Sequence, residues 1–378
     1  MSSRPVLALD LGGTQIRAAV VLPDGARRAR HAVSTPISDG PDAIVEACVQ
    51  ALSQTRQRAG QELRNTIVGI GISSAGPVDP KRGVVLEPPN LGPAFRDIAL
   101  AARIGPALGL PAVLDRDTNV AALGERAFGA GRDCDDFVYL TVSTGVGGGI
   151  VAGGRLFHGP DGLAGELGHV PVALDEPLCG CGGRGHLESI ASGRALARDA
   201  AAVVSGESPF GQSPFLDARA AAIGRDQLSA RDVAAGEEAR DPACVRLMDR
   251  ARRAIAVACV GFVNTFNPHR IIIGGAIARA QGERLLQPVR AAILAEAFSV
   301  AAARVTVVGP ELGSDVSLAG AHPLVHGRIQ EGDPAFPTPA TVATTVATPR
   351  PGAPGEAKTG DQTASRTTRI PSAIGPSP

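Results

Sequence analysis

Apolar positions in this chain form short runs that alternate with stretches of helical spacing. Val6-Leu-Ala-Leu-Asp10 is an apolar run closed by an acid and then by Gly12-Gly13, and residues 16–22 resume it. The pattern predicts a strand, a glycine turn and a returning strand. Residues 66–73 (TIVGIGIS) predict a second buried strand, with a helix over 41–59 between the two. Residues 112–114 are short and β-like and lead through Asp115-Arg-Asp-Thr-Asn119 into a helix over 120–128. A similar set follows: a strand over 137–143, a glycine turn over 145–149 and a return over 150–152. Helical spacing without proline predicts a long helix over 249–266. A strand over 270–273 then meets Gly274-Gly275, with a helix after it, and a further helix over 285–298 and a strand over 304–308 close the pattern. Strands alternating with helices argue for an α/β fold. The order "strand, glycine turn, strand" occurs twice, which suggests an internal duplication.

Two segments fall outside this pattern. Residues 203–230 mix Gly, Ser and Pro and read as a surface loop or partly ordered insertion. From Glu331 onward the chain holds nine of its 30 prolines, with many Thr and Ala. Such a segment buries too little apolar surface to offset its ordering entropy, so 331–378 reads as a disordered tail.

Composition narrows the class. At 378 residues the chain is long enough for a large core and two domains. Lys+Arg and Asp+Glu both number 37, so no bulk charge draws it to nucleic acid or anionic lipid. With no Trp and one Tyr, it lacks base-stacking platforms. No apolar run is long enough to span a bilayer and no signal peptide is evident, so a cytoplasmic protein is expected.

Two turns carry candidate phosphate chemistry. Asp10-Leu-Gly-Gly-Thr14 offers backbone N–H groups without a Cβ in the way, a Thr14 hydroxyl, and an acid able to hold a water of a magnesium ion. A tight hairpin with an incidental aspartate would leave the same trace. Ser143-Thr-Gly-Val-Gly-Gly-Gly149 repeats the arrangement. With Gly274 and Gly275 the candidate phosphate set is Asp10, Gly12, Gly13, Thr14, Ser143, Thr144, Gly145, Gly147, Gly274 and Gly275, which fits one nucleotide held from two sides. No GxxxxGK[ST] is present, and Gly12-Gly13 opens a strand rather than a helix, which excludes a Walker loop and a dinucleotide fingerprint.

The sharpest local signal is His169, Cys179, Cys181 and His186. Two thiolates and two imidazoles satisfy a closed tetrahedral zinc site, and four protein ligands leave no open position for catalysis by the metal.

Together these pieces resemble the ROK family (repressors, open reading frames and kinases), and within it the glucokinase-like sugar kinases. The resemblance runs from Val6 to about Arg328. It is carried by DLGGT (10–14), GPVD (76–79), DTNVAALGE (117–125), STGVGGGI (143–150), GELGH (165–169), CGCGGRGHLE (179–188) and IIIGG (271–275). It implies an actin-like ATPase (ribonuclease H-like) fold of two lobes around a central cleft: an N-terminal lobe over 1–117 completed by about 314–330, and a C-terminal lobe over 118–313 with the zinc loop. It further implies ATP with Mg²⁺ in the cleft, a homodimer or homotetramer, Asp117 as general base, and Gly76, Glu166, His169 and Glu188 lining the sugar. His169 would bind zinc through one nitrogen and sugar through the other.

The chemistry supports these roles on its own terms. A carboxylate on a sugar hydroxyl accepts its proton as the new P–O bond forms. Carboxylates and imidazoles suit hydroxyls, which both donate and accept, though Glu166 and Glu188 could equally be surface acids. Asp117 could equally belong to a helix N-terminus, where Asp115 or Thr118 would cap as well. Two departures stand out. Arg116 replaces the family's usual Asn beside the sugar, and could pair with a carboxylate or an anionic substrate. His186 replaces a usual Cys. Glucose is the expected acceptor, followed by N-acetylmannosamine, N-acetylglucosamine or fructose. A sugar-sensing repressor would carry a basic helix-turn-helix ahead of Asp10, and none is evident. A non-catalytic sugar-binding protein is the third class.

Overall fold

The computed structural model describes residues 4–88, 90–174 and 177–336. From residue 337 on, the expected tail lies outside the described residues. Its first six residues do not fit that expectation, because Phe336 is buried with Val113 and Val325.

Among the described residues, twelve strands form two five-stranded sheets and a small hairpin. They are β1 (Val6–Leu11), β2 (Gln15–Val21), β3 (Arg27–Ser34), β4 (Ile70–Ser74), β5 (Val78–Asp79), β6 (Val84–Val85), β7 (Ala112–Arg116), β8 (Phe137–Val142), β9 (Val146–Ala152), β10 (Arg155–Leu156), β11 (Arg270–Gly274) and β12 (Thr306–Val308). The first sheet has the order β3-β2-β1-β4-β7 and the second β10-β9-β8-β11-β12. In both, an antiparallel meander of three strands is extended by two parallel ones. The duplication suggested by the repeated glycine turn is therefore a duplication of whole sheets. The described residues contain no helix long and apolar enough to cross a membrane.

The helices are α1 (Pro41–Arg58), α2 (Gly60–Arg64), α3 (Leu100–Leu108), α4 (Asp117–Phe128), α5 (Leu187–Ala191), α6 (Gly193–Val204), α7 (Pro214–Ile223), α8 (Ala230–Glu238), α9 (Pro242–Phe266), α10 (Ala276–Gln281), α11 (Glu283–Glu296), α12 (Ser299–Ala302) and α13 (Val316–Gln330). They explain why the strands read as continuous apolar runs: both faces of each sheet are covered. Leu7, Leu9 and Leu11 join a core shared with α1 and α3, while Val6 and Ala8 face α13. Val138, Leu140 and Val142 face α9, while Phe137 and Tyr139 lie with Ala121 and Ala122 of α4. The strand period of two thus sorts residues between two cores.

α4 and α13 lie against each other between the sheets at backbone contact. A Cβ on Gly320 would fall 1.7 Å from Val120 O, and one on Gly124 would fall 2.6 Å from Val316 O. Residues 203–230 are ordered rather than loop-like. Ser213 caps α7 by accepting from Leu216 N, and Leu216 and Leu228 are buried. The Gly and Pro that suggested a loop instead mark helix ends. The long helix begins at Pro242, seven residues earlier than its apolar pattern indicated, under an Asp241 cap that accepts from Ala243 N and Cys244 N.

α13 also carries a buried histidine. His322 stacks on His326 at 4.3 Å and meets Phe128 edge-on, and its Nε2 has no hydrogen-bond partner among the described residues. Burial pulls its pKa from 6.5 to about 4. The unfolded chain takes up this proton first, so stability should fall as pH drops from 6.5 toward 4. A His322→Leu variant should flatten that part of a melting-temperature profile against pH.

Candidate active site

The C-terminal ends of the parallel strands bring the candidate residues together, as in open α/β sheets generally. β1, β4 and β7 align Asp10 with Ser73 and Ser73 with Asp115. The β1–β2 turn has three residues, 12–14, so Asp10 stands opposite Arg17. Arg17 donates to Asp10 Oδ2 from Nε at 2.9 Å and Nη2 at 2.5 Å, and to Ser314 O at 2.9 Å. Ser73 Oγ donates to Asp10 Oδ1 at 2.9 Å. Asp10 is thus held through both oxygens. Arg17 was not among the candidates, although the three-residue turn carried the signal: it sets the register that pairs the two.

The second turn is also three residues long, 143–145, and shorter than the glycine run suggested. Gly147 is therefore a strand residue, paired with Thr141, where a Cβ would fall 2.8 Å from Thr118 Cγ2. It lets β9 lie on α4 and is not part of the turn. Ser143, Thr144 and Gly145 do form the turn, and Gly275 packs against the end of β8 that leads into it, since a Cβ there would fall 2.3 Å from Val142 O. The carbonyls of Ser143 and Thr144 accept from Gly193 N at 2.8 Å and Arg194 N at 3.2 Å, so the start of α6 holds the turn from behind. Gly12 N–H is spent on Gln15 O, while Thr14 and Thr144 are exposed. Gly76 sits after β4 with φ +88°, packed on Pro88.

Asp117 is the first residue of α4, with Arg116 as the capping residue. Its Oδ1 accepts from Thr118 N at 2.7 Å, and the side chain is only partly exposed. Burial and then the negative charge of Asp10 push its pKa up; Arg116 and the Thr118 N–H pull it back, and Glu166 raises it again, to about 6. It is a carboxylate poised between proton acceptance and release near neutral pH.

Arg116 is buried, and its guanidinium faces Glu166 Oε1 rather than open space. His169 directs Nδ1 toward Cys179 Sγ at 3.6 Å and Nε2 toward Glu166 Oε2 at 3.9 Å. Glu188 turns one oxygen to Val146 N at 2.8 Å and the other to Arg194 at 3.4 Å. It braces the second turn more than it faces open space.

His169, Cys179, Cys181 and His186 each offer a ligand atom, and these atoms lie within 4.8 Å of one another. Cys181 Sγ is 3.2 Å from His186 Nδ1. Two sulfurs and two ring nitrogens at that spacing fit one four-coordinate ion.

A profile of the ROK family matches residues 6–328. A glucokinase from Thermotoga maritima is 31% identical over 329 residues, covering 87% of this chain and 99% of that protein. An N-acetylmannosamine kinase from Escherichia fergusonii is 32% identical over 322 residues, covering 85% and 98%. Among solved structures, a ROK family glucokinase from Streptomyces griseus in complex with glucose and AMPPNP superposes with a TM-score of 0.68 at 31% identity, covering 85% of this chain and 98% of that one. A ROK family transcriptional regulator, a homolog of the E. coli MLC protein, gives 0.71 at 26% identity, covering 84% and 76%. With a family profile over nearly all of its described length, and relatives above 30% identity matched almost end to end, this chain belongs to the ROK family.

Proposed function

We propose that this ROK sugar kinase transfers the terminal phosphoryl group of ATP to a hexose hydroxyl, with glucose as the first acceptor to test. The observation that carries the reading is Asp117, a half-buried carboxylate at the start of α4 whose pKa is pushed up to about 6, first by burial and then by the charge of Asp10 near the end of β1. Such a group takes the acceptor hydroxyl's proton as the P–O bond forms. Glu166 Oε2 and His169 Nε2 stand 3.9 Å apart, a gap one sugar hydroxyl can bridge by donating to the carboxylate and accepting from the imidazole. The two turns at 12–14 and 143–145 would offer the nucleotide phosphates the Thr14 and Thr144 hydroxyls and backbone N–H groups other than those of Gly12 and Ser143, which bond within the turns. Mg²⁺, when bound with ATP, neutralises charge on the transferring group; Asp10 is the acid that would hold it, through a water. His169, Cys179, Cys181 and His186 would hold a zinc ion, which would fix the tautomer and direction of His169.

The base works only when ionised. The rate constant kcat/KM should therefore fall about tenfold per pH unit below about 6 and level off above it.

N-acetylmannosamine is the second acceptor to test, because kinases for it match this chain as closely as glucokinases do. N-acetylglucosamine and fructose follow. The transcriptional regulator among the neighbours favours a sugar sensor as the reading of another class. One experiment separates them: ADP release measured over a panel of hexoses, with ATP and polyphosphate as alternative donors, beside calorimetric sugar binding. Turnover of at least one hexose is expected. Tight sugar binding without turnover of any would overturn the kinase reading.

A further inference from the structure

Asp115 and Arg116, the two residues before the candidate base, reach a segment that starts more than forty residues later. Asp115 is 2% exposed; its Oδ2 lies 2.7 Å from His158 Nε2, and its Oδ1 accepts from Asn119 Nδ2 at 2.8 Å. Arg116 is 5% exposed. Its Nε donates to Thr118 Oγ1 at 3.0 Å, its Nη2 to Gly148 O at 3.0 Å and Ala164 O at 2.8 Å, and its Nη1 to Glu166 Oε1. Residues 157–166 are therefore pinned at His158, Ala164 and Glu166 by consecutive residues of one strand end. The packing leaves no slack, since Gly165 has φ +91° and a Cβ there would fall 2.7 Å from Arg116 Nη2.

We infer that Asp115 and Arg116 clamp the sugar-facing segment 157–169, and that Arg116 sets specificity by withdrawing one oxygen of Glu166 from substrate recognition. This rests on the sugar-kinase reading for the identity of the ligand, but the clamp itself does not. A guanidinium has five N–H donors and no acceptor. Five acceptor groups already face this one, the fifth being Asn119 Oδ1 at 3.4 Å from Nη2, so position 116 has almost nothing left to offer a hydroxyl. Glu166 Oε1 faces the buried guanidinium, and Oε2 alone remains beside His169. A carboxylate with both oxygens free can grip two neighbouring hydroxyls; here any hydroxyl reaching Oε1 must share it with the guanidinium, which favours a single hydroxyl at Oε2. The pocket should consequently tolerate sugars altered at the neighbouring position. Arg116 acts through Glu166 and is a positioning residue. Lysine cannot replace it, because one ammonium cannot span Thr118, Gly148, Ala164 and Glu166.

The test compares full-length wild type with Arg116→Met, Arg116→Lys and His158→Ala, by hydrogen exchange and by calorimetry with glucose and each monodeoxyglucose. Both Arg116 variants should lose protection in peptides over 157–169 by at least about tenfold, with β8 unchanged as internal control. They should also make affinity sensitive, by about tenfold, to the loss of one further hydroxyl that wild type ignores. His158→Ala should loosen the same peptides but keep the wild-type hydroxyl pattern, because the Arg116–Glu166 pair persists. Unchanged protection and an unchanged hydroxyl pattern in Arg116→Lys would overturn the inference, and that milder variant decides if Arg116→Met unfolds. If wild type binds no sugar, the kinase reading fails, while the exchange data still judge the clamp.

Discussion

Replacing Asp117 by Asn should lower turnover by roughly 10²–10⁴-fold while leaving sugar affinity within a few-fold of wild type. The amide keeps the shape and can still accept from Thr118 N, so α4 should begin as it does now. What it loses is the ability to take a proton. The same change should make the free protein more stable at neutral pH. Asp117 titrates near 6 in the folded chain against about 3.8 unfolded, so its ionised form is disfavoured by folding. That penalty is absent below pH 3.8, grows as pH rises through about 6 and is complete above it, where it amounts to at most roughly 2–3 kcal/mol. A higher melting temperature at pH 8 with no difference at pH 3, alongside lost turnover, identifies a carboxylate held ionised at a cost for its chemistry. Activity surviving within a few-fold would remove Asp117 from the role of base.

Loss of the metal should have the second largest effect. Elemental analysis of protein prepared without chelator should find about one zinc per chain. A Cys179→Ser variant, or stripped wild type, should lose roughly 10–100-fold in sugar affinity, the range expected when support around a metal site is removed. The route is short. His169 turns one nitrogen to the cysteine side and the other to Glu166, so a bound ion would orient the group proposed to face the sugar. Nucleotide affinity should fall less but should not be spared. Glu188 follows the last ligand by two residues and holds Val146 N, and Gly193 and Arg194 hold the carbonyls of the second turn. Titration of sugar and of a non-hydrolysable nucleotide, before and after stripping and after zinc is returned, measures both. Protein free of metal with undiminished sugar affinity would sink the assignment.

Much of this could be read locally. Continuous apolar runs marked β1, β8 and β11, and the glycine turns marked the repeat that proved to be a pair of like-ordered sheets. The four metal-side ligands stood out because their residue types and spacing are confined to 18 consecutive positions. Other elements escaped for identifiable reasons. β3 and β10 are half-exposed or very short, and their pairing partners rather than their apolar content make them strands. Ordered α7 resembled a loop because Gly and Pro mark helix ends as well as coils. Gly147 looked like part of a phosphate turn because a glycine required by helix packing cannot be told from one required by a ligand.

By itself the sequence determined which residue types could do the chemistry and roughly which local elements would carry them, because propensity, period and turn composition act over a few neighbours. Only the tertiary structure decided what those residues do to one another. It placed Arg116 on Glu166, fifty residues away, and turned Glu188 onto a turn amide. It also set the Asp117 carboxylate in reach of the charge on Asp10. Ionisation and hydrogen-bond capacity depend on distance through space and on excluded water, and neither is encoded in spacing along the chain.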